Sequence, residues 1–496
     1  MTSNSPASVA IRVDSGTQIG SGHVMRCLNL AGELERNGGQ ATFLCRELPG
    51  HLGELIEREG YPVVPLRTEA CEEARDALRR LRTGWLIVDH YGIGADWERS
   101  QRGLIGRILV IDDLADRPHD CDVLLDQNYF GRDTQLRYAG LVPPRCRLLL
   151  GPRYALLQPE YANLRTALVP RTGTSRRVLV FFGGTDPTNE TCKALRALAV
   201  PELAHLDVDV VLGANHPAPN EVAALAAKRP GTTVYRNMPT LAGLMFRADL
   251  AVGAGGVATS ERMCMGLPSV VVTIAPNQER PIASLAEEGV VICAGRAASV
   301  TEAGLAAAIM NALREPLREP TMVDGHGAAR VSAAIMPPST SKLRLRRARI
   351  EDARLLFDWR NEAAARAMSF DQSLVAWDSH LQWLSGKLAD CGTQIFVGEV
   401  DGLPVGQARL EFSGAEAVLS YSIDSDFRGL GFGAALVELV VRSARHRPAV
   451  GFRAHVKAQN EASKKIFLRL GWRETIAGTE HVYRLSGSGM SEGPTE

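Results

Sequence analysis

The sequence VAIRVDSGTQIGSGHVMRCLNLAGELERN, residues 9–37, sets the architecture of the first part of the chain. Its opening residues, up to Asp14, predict a buried strand, and a glycine-rich turn follows. From about His23 the apolar side chains recur at helical spacing on one face, and Gly38 provides a stop. A strand that runs through a glycine turn into a helix is the repeating unit of doubly wound α/β domains.

Short apolar strands alternate with helices beyond this unit, in two successive sets. The predicted strands of the first set are 41–46, 85–89, 108–112, 123–126 and 148–150. A polar stretch at 170–177 precedes a second set at 178–182, 208–212, 233–235, 250–252, 269–274 and 290–293. Strands that are apolar on both faces are typical of parallel sheets. We therefore predict two Rossmann-like domains, residues 8–170 and 171–335, with a cleft between them.

The alternation ends at residues 336–342, a linker rich in Pro, Ser and Thr. A third α/β domain is predicted for residues 343–485, and the polar residues 486–496 are predicted to form a disordered tail. The basic run at 342–349 fits a solvated strand face better than a nucleic-acid patch.

The composition excludes several classes of protein. The 496 residues include 56 Lys plus Arg and 56 Asp plus Glu, so the net charge is zero and gives no general affinity for nucleic acids or anionic membranes. Nine cysteines are scattered without a CxxC pair, which favours reduced thiols over a zinc site or a disulfide framework. With no signal peptide and no apolar run near the ~20 residues of a membrane helix, we predict a soluble, cytoplasmic protein without a metal.

The turn from Gly20 to His23 is the first candidate site. Its glycines leave backbone amides free at the start of a helix, where an anion can bind. His23 lies at the mouth of the turn, and an imidazole there can act as a base near neutral pH. A histidine that only begins a helix would show the same local pattern.

Gly255 and Gly256 follow a strand of the second domain, and Glu261 lies in the first turns of the helix after them. This arrangement suits a diphosphate at the helix N-terminus and a carboxylate that accepts bonds from ribose hydroxyls. The alternative is a tight turn followed by a carboxylate that interacts with the helix dipole.

Seven motifs in this order resemble one family: GSGHVMR, VDHYGI, IDDLADRPHDCDVLLDQN, LGPRYALL, FFGGTDP, GAGGVATSERMCMGLPSVVV and NQ. Over about residues 8–330 the chain is similar to the UDP-sugar hydrolases of bacterial pseudaminic acid biosynthesis. Their substrate is UDP-2,4-diacetamido-2,4,6-trideoxy-β-L-altropyranose, and they in turn resemble the GT-B glycosyltransferases. The resemblance implies a GT-B arrangement of the two Rossmann-like domains and an inverting, metal-free hydrolysis that releases UDP.

The same resemblance implies roles for individual residues. His23 is the base that activates the attacking water, and Asp14 orients either this histidine or a sugar hydroxyl. The implied sugar contacts are Gly22, Arg26, Asp89, His90, Tyr91 and Asn128. The implied UDP contacts are Gly183, Gly184, Gly255, Gly256, Thr259, Glu261, Asn277 and Gln278. Pro276 departs from the pattern, since an acidic residue is expected at that position.

A second resemblance covers about residues 343–485. The strand VLSYSI leads into RGLGFGAA, residues 428–435, and an apolar helix, a pattern that cradles a pyrophosphate. Together with HVKAQNEASKKIFLRLGW, residues 455–472, this pattern resembles the GNAT acetyltransferases and implies acetyl-CoA as co-substrate. The implied acetyl-CoA contacts are Ile423, Arg428, Gly429, Gly431, Gly433, Ala434, Asn460 and Ser463.

Phe467 departs from the GNAT pattern. Many enzymes of that family have at this position a tyrosine that protonates the leaving thiolate, and phenylalanine cannot do so. Either another donor serves, with Tyr421 and Ser463 as candidates, or water does, or the activity is weak.

The segment WRN, residues 359–361, with His380 and Trp383, resembles acetyltransferases of amino sugars, although an amphipathic helix with core aromatics fits it equally well. Together these resemblances predict a bifunctional enzyme of nonulosonic acid biosynthesis. It N-acetylates the 4-amino group of a UDP-linked amino sugar and then hydrolyses the product to release UDP.

Two alternatives stay open at this point. One is a GT-B glycosyltransferase that uses an acceptor other than water. The other is a non-catalytic sugar-nucleotide binding protein with an inactive GNAT domain. In each case the expected partners are small molecules, with no nucleic acid and no membrane, and the oligomeric state is open.

Overall fold

The computed structural model describes residues 8–17, 19–168, 171, 176–315, 317, 322–444, 451–477 and 480–486. The chain divides into two compact units between Met336 and Pro337. The predicted tail, apart from Ser486, lies outside the described residues. We call residues up to Met336 unit 1 and residues from Pro337 unit 2.

The first half of unit 1 alternates strands and helices. Its elements are β1 (Ser8–Val13), α1 (Gly22–Arg36), β2 (Gln40–Arg46), α2 (Gly53–Arg58), β3 (Val63–Leu66), α3 (Cys71–Leu81), β4 (Trp85–Asp89), α4 (Ala95–Gln101), β5 (Arg107–Ile111), β6 (Val123–Asp126), β7 (Arg147–Leu150) and α5 (Pro159–Arg165). All seven strands are parallel, in the order β3-β2-β1-β4-β5-β6-β7. Both β4 and β6 are buried along their whole length, as expected for strands covered on both faces.

The second half of unit 1 repeats this construction. Its elements are β8 (Arg177–Phe181), α6 (Glu190–Ala197), β9 (Asp207–Leu212), α7 (Pro219–Lys228), β10 (Thr232–Arg236), α8 (Ala242–Arg247), β11 (Leu250–Ala254), α9 (Ala258–Cys264), β12 (Ser269–Thr273), α10 (Pro276–Glu287), β13 (Ile292–Arg296), α11 (Glu302–Arg314) and α12 (Gly327–Ile335). Its six strands are parallel, in the order β10-β9-β8-β11-β12-β13. The predicted pair of Rossmann-like sheets in a GT-B-like unit is confirmed.

The last helix of unit 1 returns to the first half. Val331 and Ile335 of α12 belong to the apolar core that covers one face of the first sheet. Asn37, just after α1, donates to Ser332 Oγ at 3.0 Å. A Cβ on Gly327 would lie 2.2 Å from the carbonyl oxygen of Ala155, so only glycine lets the helix begin so close to the chain. The chain therefore crosses between the two halves twice.

Unit 2 contains one mixed sheet and five helices within its described residues. Its elements are β14 (Arg344–Arg347), α13 (Ala353–Asn361), α14 (Ala363–Met368), α15 (Trp377–Ala389), β15 (Thr393–Val400), β16 (Leu403–Ser413), β17 (Glu416–Ile423), α16 (Phe432–Ala444), β18 (Gly451–Lys457), α17 (Glu461–Arg469), β19 (Arg473–Ala477) and β20 (Glu480–Leu485). The strand order is β14-β15-β16-β17-β18-β20-β19. The predicted GNAT-type α/β fold of this part of the chain is confirmed.

One pair of strands in this sheet separates along its length. The strands β17 and β18 are parallel and pair only from Glu416 to Val418, whereas β17 continues to Ile423. The second half of β17 therefore borders a gap on the side of β18.

No helix among the described residues is long and apolar enough to cross a membrane.

Candidate functional sites

Buried acids occupy the carboxyl ends of strands in the first sheet. Asp14 follows β1, Asp89 ends β4 and Asp112 follows β5, and each is 1% exposed. Parallel strands end at one edge of a sheet, where ligands bind in open α/β folds. A carboxylate removed from water needs a cation or hydrogen-bond donors, and each of these acids has an arginine partner.

His23 and Asp89 form a hydrogen-bonded pair at this edge. The Nδ1–H of His23 donates to Asp89 Oδ1 at 2.6 Å. Arg26, one turn further along α1, donates to both oxygens of the same carboxylate, from Nε and Nη2, each at 2.6 Å. Burial alone would raise the pKa of Asp89, but the charges of Arg26 and His23 outweigh it and lower that pKa below its usual range.

An ionised Asp89 keeps the ring proton of His23 on Nδ1 and leaves the Nε2 lone pair as the acceptor. No group among the described residues forms a hydrogen bond to Nε2. The guanidinium of Arg26 also approaches Nδ1 at 3.1 Å, because both groups share Asp89 Oδ1. The arrangement fixes the tautomer of His23 that accepts a proton on the open side of the ring.

The turn before His23 presents backbone amides. Gly20 has a φ of +84°, which favours glycine, and its N–H donates to the Gly16 carbonyl at 2.8 Å. The first helical bond of α1 runs from Met25 N–H to the Ser21 carbonyl. The amides of the residues between Ser21 and Met25 therefore point out of the positive end of the helix dipole.

Asp14 lies in a separate cluster. It accepts from Arg12 at 2.9 Å, from Arg46 Nε at 2.7 Å and amide at 2.8 Å, and from His90 Nε2 at 3.1 Å. The predicted role of Asp14 in orienting His23 falls to Asp89 among the described residues. The reason is register: β1 lies between β2 and β4. Asp14 forms an ion pair with Arg46, the last residue of β2, whereas Asp89, the last residue of β4, contacts α1.

Asp14, Glu69 and His90 also place three potential metal-ligand atoms within 4.8 Å of one another. However, His90 Nδ1 accepts from the Gly92 amide at 3.0 Å, so the ring proton is on Nε2, the atom that faces Asp14. Arg46 pairs with both carboxylates. A protonated nitrogen and a guanidinium in one cluster favour ion pairs over a bound cation.

Tyr91 links His23 to the second half of unit 1. Its ring meets the His23 ring edge-on, with centroids 4.7 Å apart and an interplanar angle of 83°. Its hydroxyl donates to Asp113 Oδ2 at 3.2 Å and accepts from Asn277 Nδ2, a residue of α10, at 3.1 Å. Tyr91 thus connects the two halves directly beside the histidine.

Asp113 is a residue of this site that sequence reasoning missed. Its Oδ2 is 3.6 Å from Arg26, and its Oδ1 is buried without a hydrogen-bond partner among the described residues. An unpaired buried acceptor is costly unless a ligand supplies a donor. The available signal was the second acid of the IDD sequence after β5, which lies two residues beyond Ile111, the register partner of Asp89.

Asn128 lies just beyond β6 at the same edge. Its amide donates to Asp126 Oδ1 at 3.0 Å, and Tyr138 and Arg137 reach Oδ2 at 3.2 and 3.3 Å. Burial raises the pKa of Asp126 to about 7 despite these donors. The side chain of Asn128 is half-buried beside this carboxyl.

The turn of His23 lies against the glycine turns of the second half. A Cβ on Gly184 would lie 3.0 Å from Ser21 Oγ, and a Cβ on Gly22 would lie 3.6 Å from Val257 Cγ2. Gly183 has a φ of +95°. The structure therefore brings the predicted catalytic turn and the predicted nucleotide turns together.

The predicted UDP residues lie around the ends of β11 and β12. A Cβ on Gly255 would lie 2.7 Å from Ile282 Cγ1, so a side chain there displaces α10. Gln278 Oε1 accepts from the Ile274 amide at 3.0 Å, which places its amide nitrogen toward Gly256. Thr259 is buried and accepts from Arg262, so it stabilises the turn from the protein interior.

Glu261 lies on α9 next to these turns. Burial raises its pKa to about 7, while the charge of Arg262 and the hydroxyl of Tyr161 act in the opposite direction. A carboxyl with a pKa near neutrality can accept hydrogen bonds once donors arrive.

Asp186 of the motif FFGGTDP has a different role, because it accepts from the amides of Glu190 and Thr191 and caps α6.

In unit 2 the predicted acetyl-CoA residues lie at the end of β17, in the loop that follows it and at the starts of α16 and α17. Gly429 and Gly431 have φ values of +76° and +89° and turn the chain into α16, which includes Ala434. A Cβ on Gly433 would lie 2.8 Å from Ile466 Cδ1, so α16 and α17 meet closely at this point. Asn460 caps α17 by accepting from the Ser463 amide at 3.1 Å.

Arg428 is engaged by protein groups. Its guanidinium forms a double ion pair with Glu362, in which Nη1 donates to Oε1 at 2.8 Å. Its Nε donates to the carbonyl of Ile423, another predicted acetyl-CoA contact, at 3.0 Å. The anion-binding groups that remain in this loop are its backbone amides.

The residues of the WRN segment and His380 have internal partners. Trp359 Nε1 donates to Asp424 at 2.6 Å, Asn361 bonds to the backbone of Val375, and His380 donates to the carbonyl of Ala353 at 2.9 Å. These contacts match the reading as an amphipathic helix with core aromatics. Trp383 differs, because it is 38% exposed.

Comparison with known proteins places both units. Residues 342–473 match the acetyltransferase (GNAT) domain family. An uncharacterised protein of Methanocaldococcus jannaschii is 23% identical over 96% of this chain and 98% of its own length. The UDP-2,4-diacetamido-2,4,6-trideoxy-β-L-altropyranose hydrolase of Campylobacter jejuni is 27% identical over 57% of this chain and 97% of its own length. The spore coat polysaccharide biosynthesis protein SpsG of Bacillus subtilis is 24% identical over 66% of this chain and 97% of its own length.

The fold and these relationships define a GT-B-like unit followed by a GNAT acetyltransferase domain. They support an enzyme related to sugar-nucleotide biosynthesis. More particularly, part of the chain is homologous to the Campylobacter hydrolase and to SpsG, and the fusion with a GNAT domain is supported.

Proposed function

We propose that unit 1 hydrolyses UDP from a UDP-2,4-diacetamido-2,4,6-trideoxy sugar and that unit 2 acetylates the 4-amino group of the precursor. The observation that carries the hydrolysis is the His23–Asp89 pair, whose open Nε2 belongs to a turn that lies against the glycine turns of the second half. The relationship to the Campylobacter hydrolase supports the substrate class. The GNAT match supports acetyl-CoA as the co-substrate.

In the hydrolysis, His23 Nε2 takes a proton from a water molecule, whose oxygen attacks the anomeric carbon. The bond between that carbon and the diphosphate oxygen breaks, and UDP leaves with the electron pair. Attack opposite the leaving group inverts the anomeric configuration. Asp89 stabilises the imidazolium that forms, and Arg26 keeps Asp89 ionised.

Backbone groups hold the diphosphate in this proposal. The N-terminal amides of α1 and the glycine turns after β8 and β11 lie where negative charge grows as the glycosidic bond breaks. Charge is stabilised there by aligned dipoles, so no surplus of lysine or arginine is needed. The zero net charge of the chain is in keeping with this arrangement.

Asp113 and Tyr91 contact the sugar in this proposal. The unpaired Oδ1 of Asp113 accepts from an acetamido N–H or a hydroxyl, and Tyr91 closes over the ring beside His23. An acceptor-only carboxylate at this position favours sugars that offer a donor, which an acylated amine does.

The acetylation precedes the hydrolysis. In unit 2 the free amine of the UDP-linked sugar attacks the thioester of acetyl-CoA and becomes an acetamide. Unit 1 then acts on the doubly acetylated product. Both substrates are small molecules, and no metal takes part in either proposed step.

Product analysis tests the proposal. The purified chain, given acetyl-CoA and a UDP-linked 2-acetamido-4-amino-2,4,6-trideoxy sugar, should release free CoA first and UDP second. Mass spectrometry in 18O-labelled water should find the label on the anomeric hydroxyl of the free sugar. A sugar attached to another acceptor would instead support a glycosyltransferase, and UDP binding without turnover would support a non-catalytic protein.

Glu261 predicts a pH dependence of UDP affinity. Ribose hydroxyls donate to the ionised carboxylate, and below pH about 7 the empty site must first lose a proton from Glu261. The affinity for UDP should therefore rise with pH through about 7, by up to tenfold for each pH unit below that pKa. Calorimetric titration at several pH values measures this change.

The variant Glu261→Gln is the control for the ionisation of UDP itself, which is the same in both proteins. The wild-type chain should show the steeper rise in affinity with pH. Parallel pH profiles for the two proteins would remove Glu261 from the ribose site.

A further inference from the structure

Tyr421 lies on the part of β17 that β18 no longer covers. The two strands stop pairing after Val418, so Tyr421 borders the gap between them and is half-buried. Its ring lies 3.5 Å from the position of a Cβ on Gly433, at the start of α16. Its hydroxyl is 2.9 Å from Ser463 Oγ, at the start of α17. The two hydroxyls thus meet between the N-terminal ends of two helices.

Phe467 fills the core behind this pair. It is 1% exposed, with its ring centroid 4.8 Å from that of Trp472 and 5.3 Å from that of Tyr483. Its ring also meets the ring of Tyr421 edge-on, at 5.9 Å. The hydroxyl of Tyr483 is engaged elsewhere, because it donates to Glu474 at 2.6 Å. Within this aromatic cluster, Tyr421 is the tyrosine on the unpaired part of β17, and its hydroxyl contacts the start of α17.

We propose that Tyr421 protonates the thiolate that leaves acetyl-CoA and that Ser463 positions the Tyr421 hydroxyl. The inference rests on the acetyl transfer proposed for unit 2. Phe467 has no hydroxyl to donate, and in this inference a tyrosine of β17 supplies the proton instead. Tyr421 acts on the reacting sulfur, whereas Ser463 acts through Tyr421.

The amine nitrogen forms a bond to the thioester carbonyl carbon, and the carbon–sulfur bond breaks with its electron pair on sulfur. Sulfur takes the proton of the Tyr421 hydroxyl, while the Ser463 hydroxyl donates to the phenolate oxygen. Solvent returns a proton to Tyr421, and the amine releases one to solvent. The products are an acetamide and the free thiol of CoA.

The protonation state of Tyr421 suits this role. Burial raises its pKa, and the hydrogen bond from Ser463 acts in the opposite direction. The hydroxyl therefore carries its proton throughout the neutral range. A phenol is still a far stronger acid than water, and it can transfer its proton to a developing thiolate once the two are in contact.

A titration of bound CoA tests the contact without any acceptor amine. A hydrogen bond from Tyr421 stabilises the thiolate, so the thiol of CoA bound to the wild-type chain should have a lower pKa than in the Tyr421→Phe chain, by about one unit. Thiolate absorbance in the ultraviolet measures this pKa. The variant Tyr483→Phe removes a hydroxyl from the same aromatic cluster but away from the gap, and it should titrate like the wild type.

Turnover gives the second readout. With acetyl-CoA and the UDP-linked amino sugar, Tyr421→Phe should lower kcat about 100-fold and leave the KM for acetyl-CoA unchanged. The solvent isotope effect on kcat should fall toward one, because no protein proton moves with the leaving sulfur. Ser463→Ala should lower kcat by a smaller factor and preserve the isotope effect.

The outcomes separate the inference from the function on which it rests. An unchanged thiol pKa and an unchanged kcat in Tyr421→Phe overturn the role of Tyr421 and leave the acetyl transfer intact. A wild-type chain that binds no CoA overturns both. A lower kcat in Tyr421→Phe with a wild-type thiol pKa and isotope effect also overturns the role, since a purely structural loss would produce that result.

Discussion

Replacing His23 by alanine is expected to lower kcat for UDP release about 1,000-fold. A positioned general base contributes about 10²–10⁴ in rate, and no other histidine among the described residues forms a hydrogen bond with Asp89. UDP affinity should stay within about twofold, because the substitution keeps the backbone amides of α1 and leaves the nucleotide residues of the second half unchanged. Coupled detection of released UDP measures kcat, and calorimetry measures affinity.

The chain contains its own control for this experiment. The proposed acetyl transfer takes place in unit 2, so CoA release by His23→Ala should match that of the wild type in the same sample. The variant His205→Ala changes an exposed histidine of unit 1 and should keep both activities. Equal UDP release by His23→Ala and the wild type would remove His23 from the reaction and leave the fold assignment intact.

Most of unit 1 could be predicted because its strands are apolar and each is followed by a turn. The predicted strands at 85–89 and 123–126 coincide with β4 and β6. The strand β3 was missed, because Pro65 interrupts it; as an edge strand it tolerates a residue without an N–H. The strand β13 begins at Ile292 rather than Val290, because Val290 and Val291 pack into the core before the strand starts. Its register against β12 shifts between Cys293 and Gly295.

The site was predictable in its residue types but not in its pairings. Parallel strands gather their terminal residues at one edge, so Asp14, Asp89 and His90 were all expected there. The acid that bonds to His23 is determined by the lateral order of the strands. The order β2-β1-β4 cannot be predicted from local sequence. The neighbouring arginines then fix the pairings, because Arg46 forms an ion pair with Asp14 and Arg26 forms one with Asp89.

Arg428 shows the same limit in unit 2. The pattern of its loop correctly predicts the turn into α16, since Gly429 and Gly431 have positive φ values. The partner of the Arg428 side chain comes from Glu362, between α13 and α14. A contact between residues 66 positions apart in sequence is set by the packing of helices on the sheet, and no local spacing predicts it.

Changing Asp89 to asparagine is expected to affect both stability and hydrolysis. Arg26 is 4% exposed, and loss of its counter-charge leaves a buried guanidinium that costs about 3–5 kcal/mol in the free energy of unfolding. Asparagine also has no charge to hold the proton of His23 on Nδ1. It permits the tautomer with the proton on Nε2, which cannot accept another proton there, so kcat should fall about 10³- to 10⁴-fold. Thermal unfolding and UDP release measure the two effects.

The double variant Asp89→Asn with Arg26→Gln separates these effects. Removal of both charges leaves only Asp113 without its guanidinium partner, and Asp113 keeps the hydrogen bond from Tyr91, so much of the lost stability should return. Hydrolysis should stay low, because no carboxylate then holds the Nδ1 proton of His23. The exposed pair Asp76 and Arg79, neutralised in the same way, provides the matched control and should change neither quantity. Recovery of hydrolysis together with stability would mean that Asp89 serves folding alone and would exclude its role as the partner of the base.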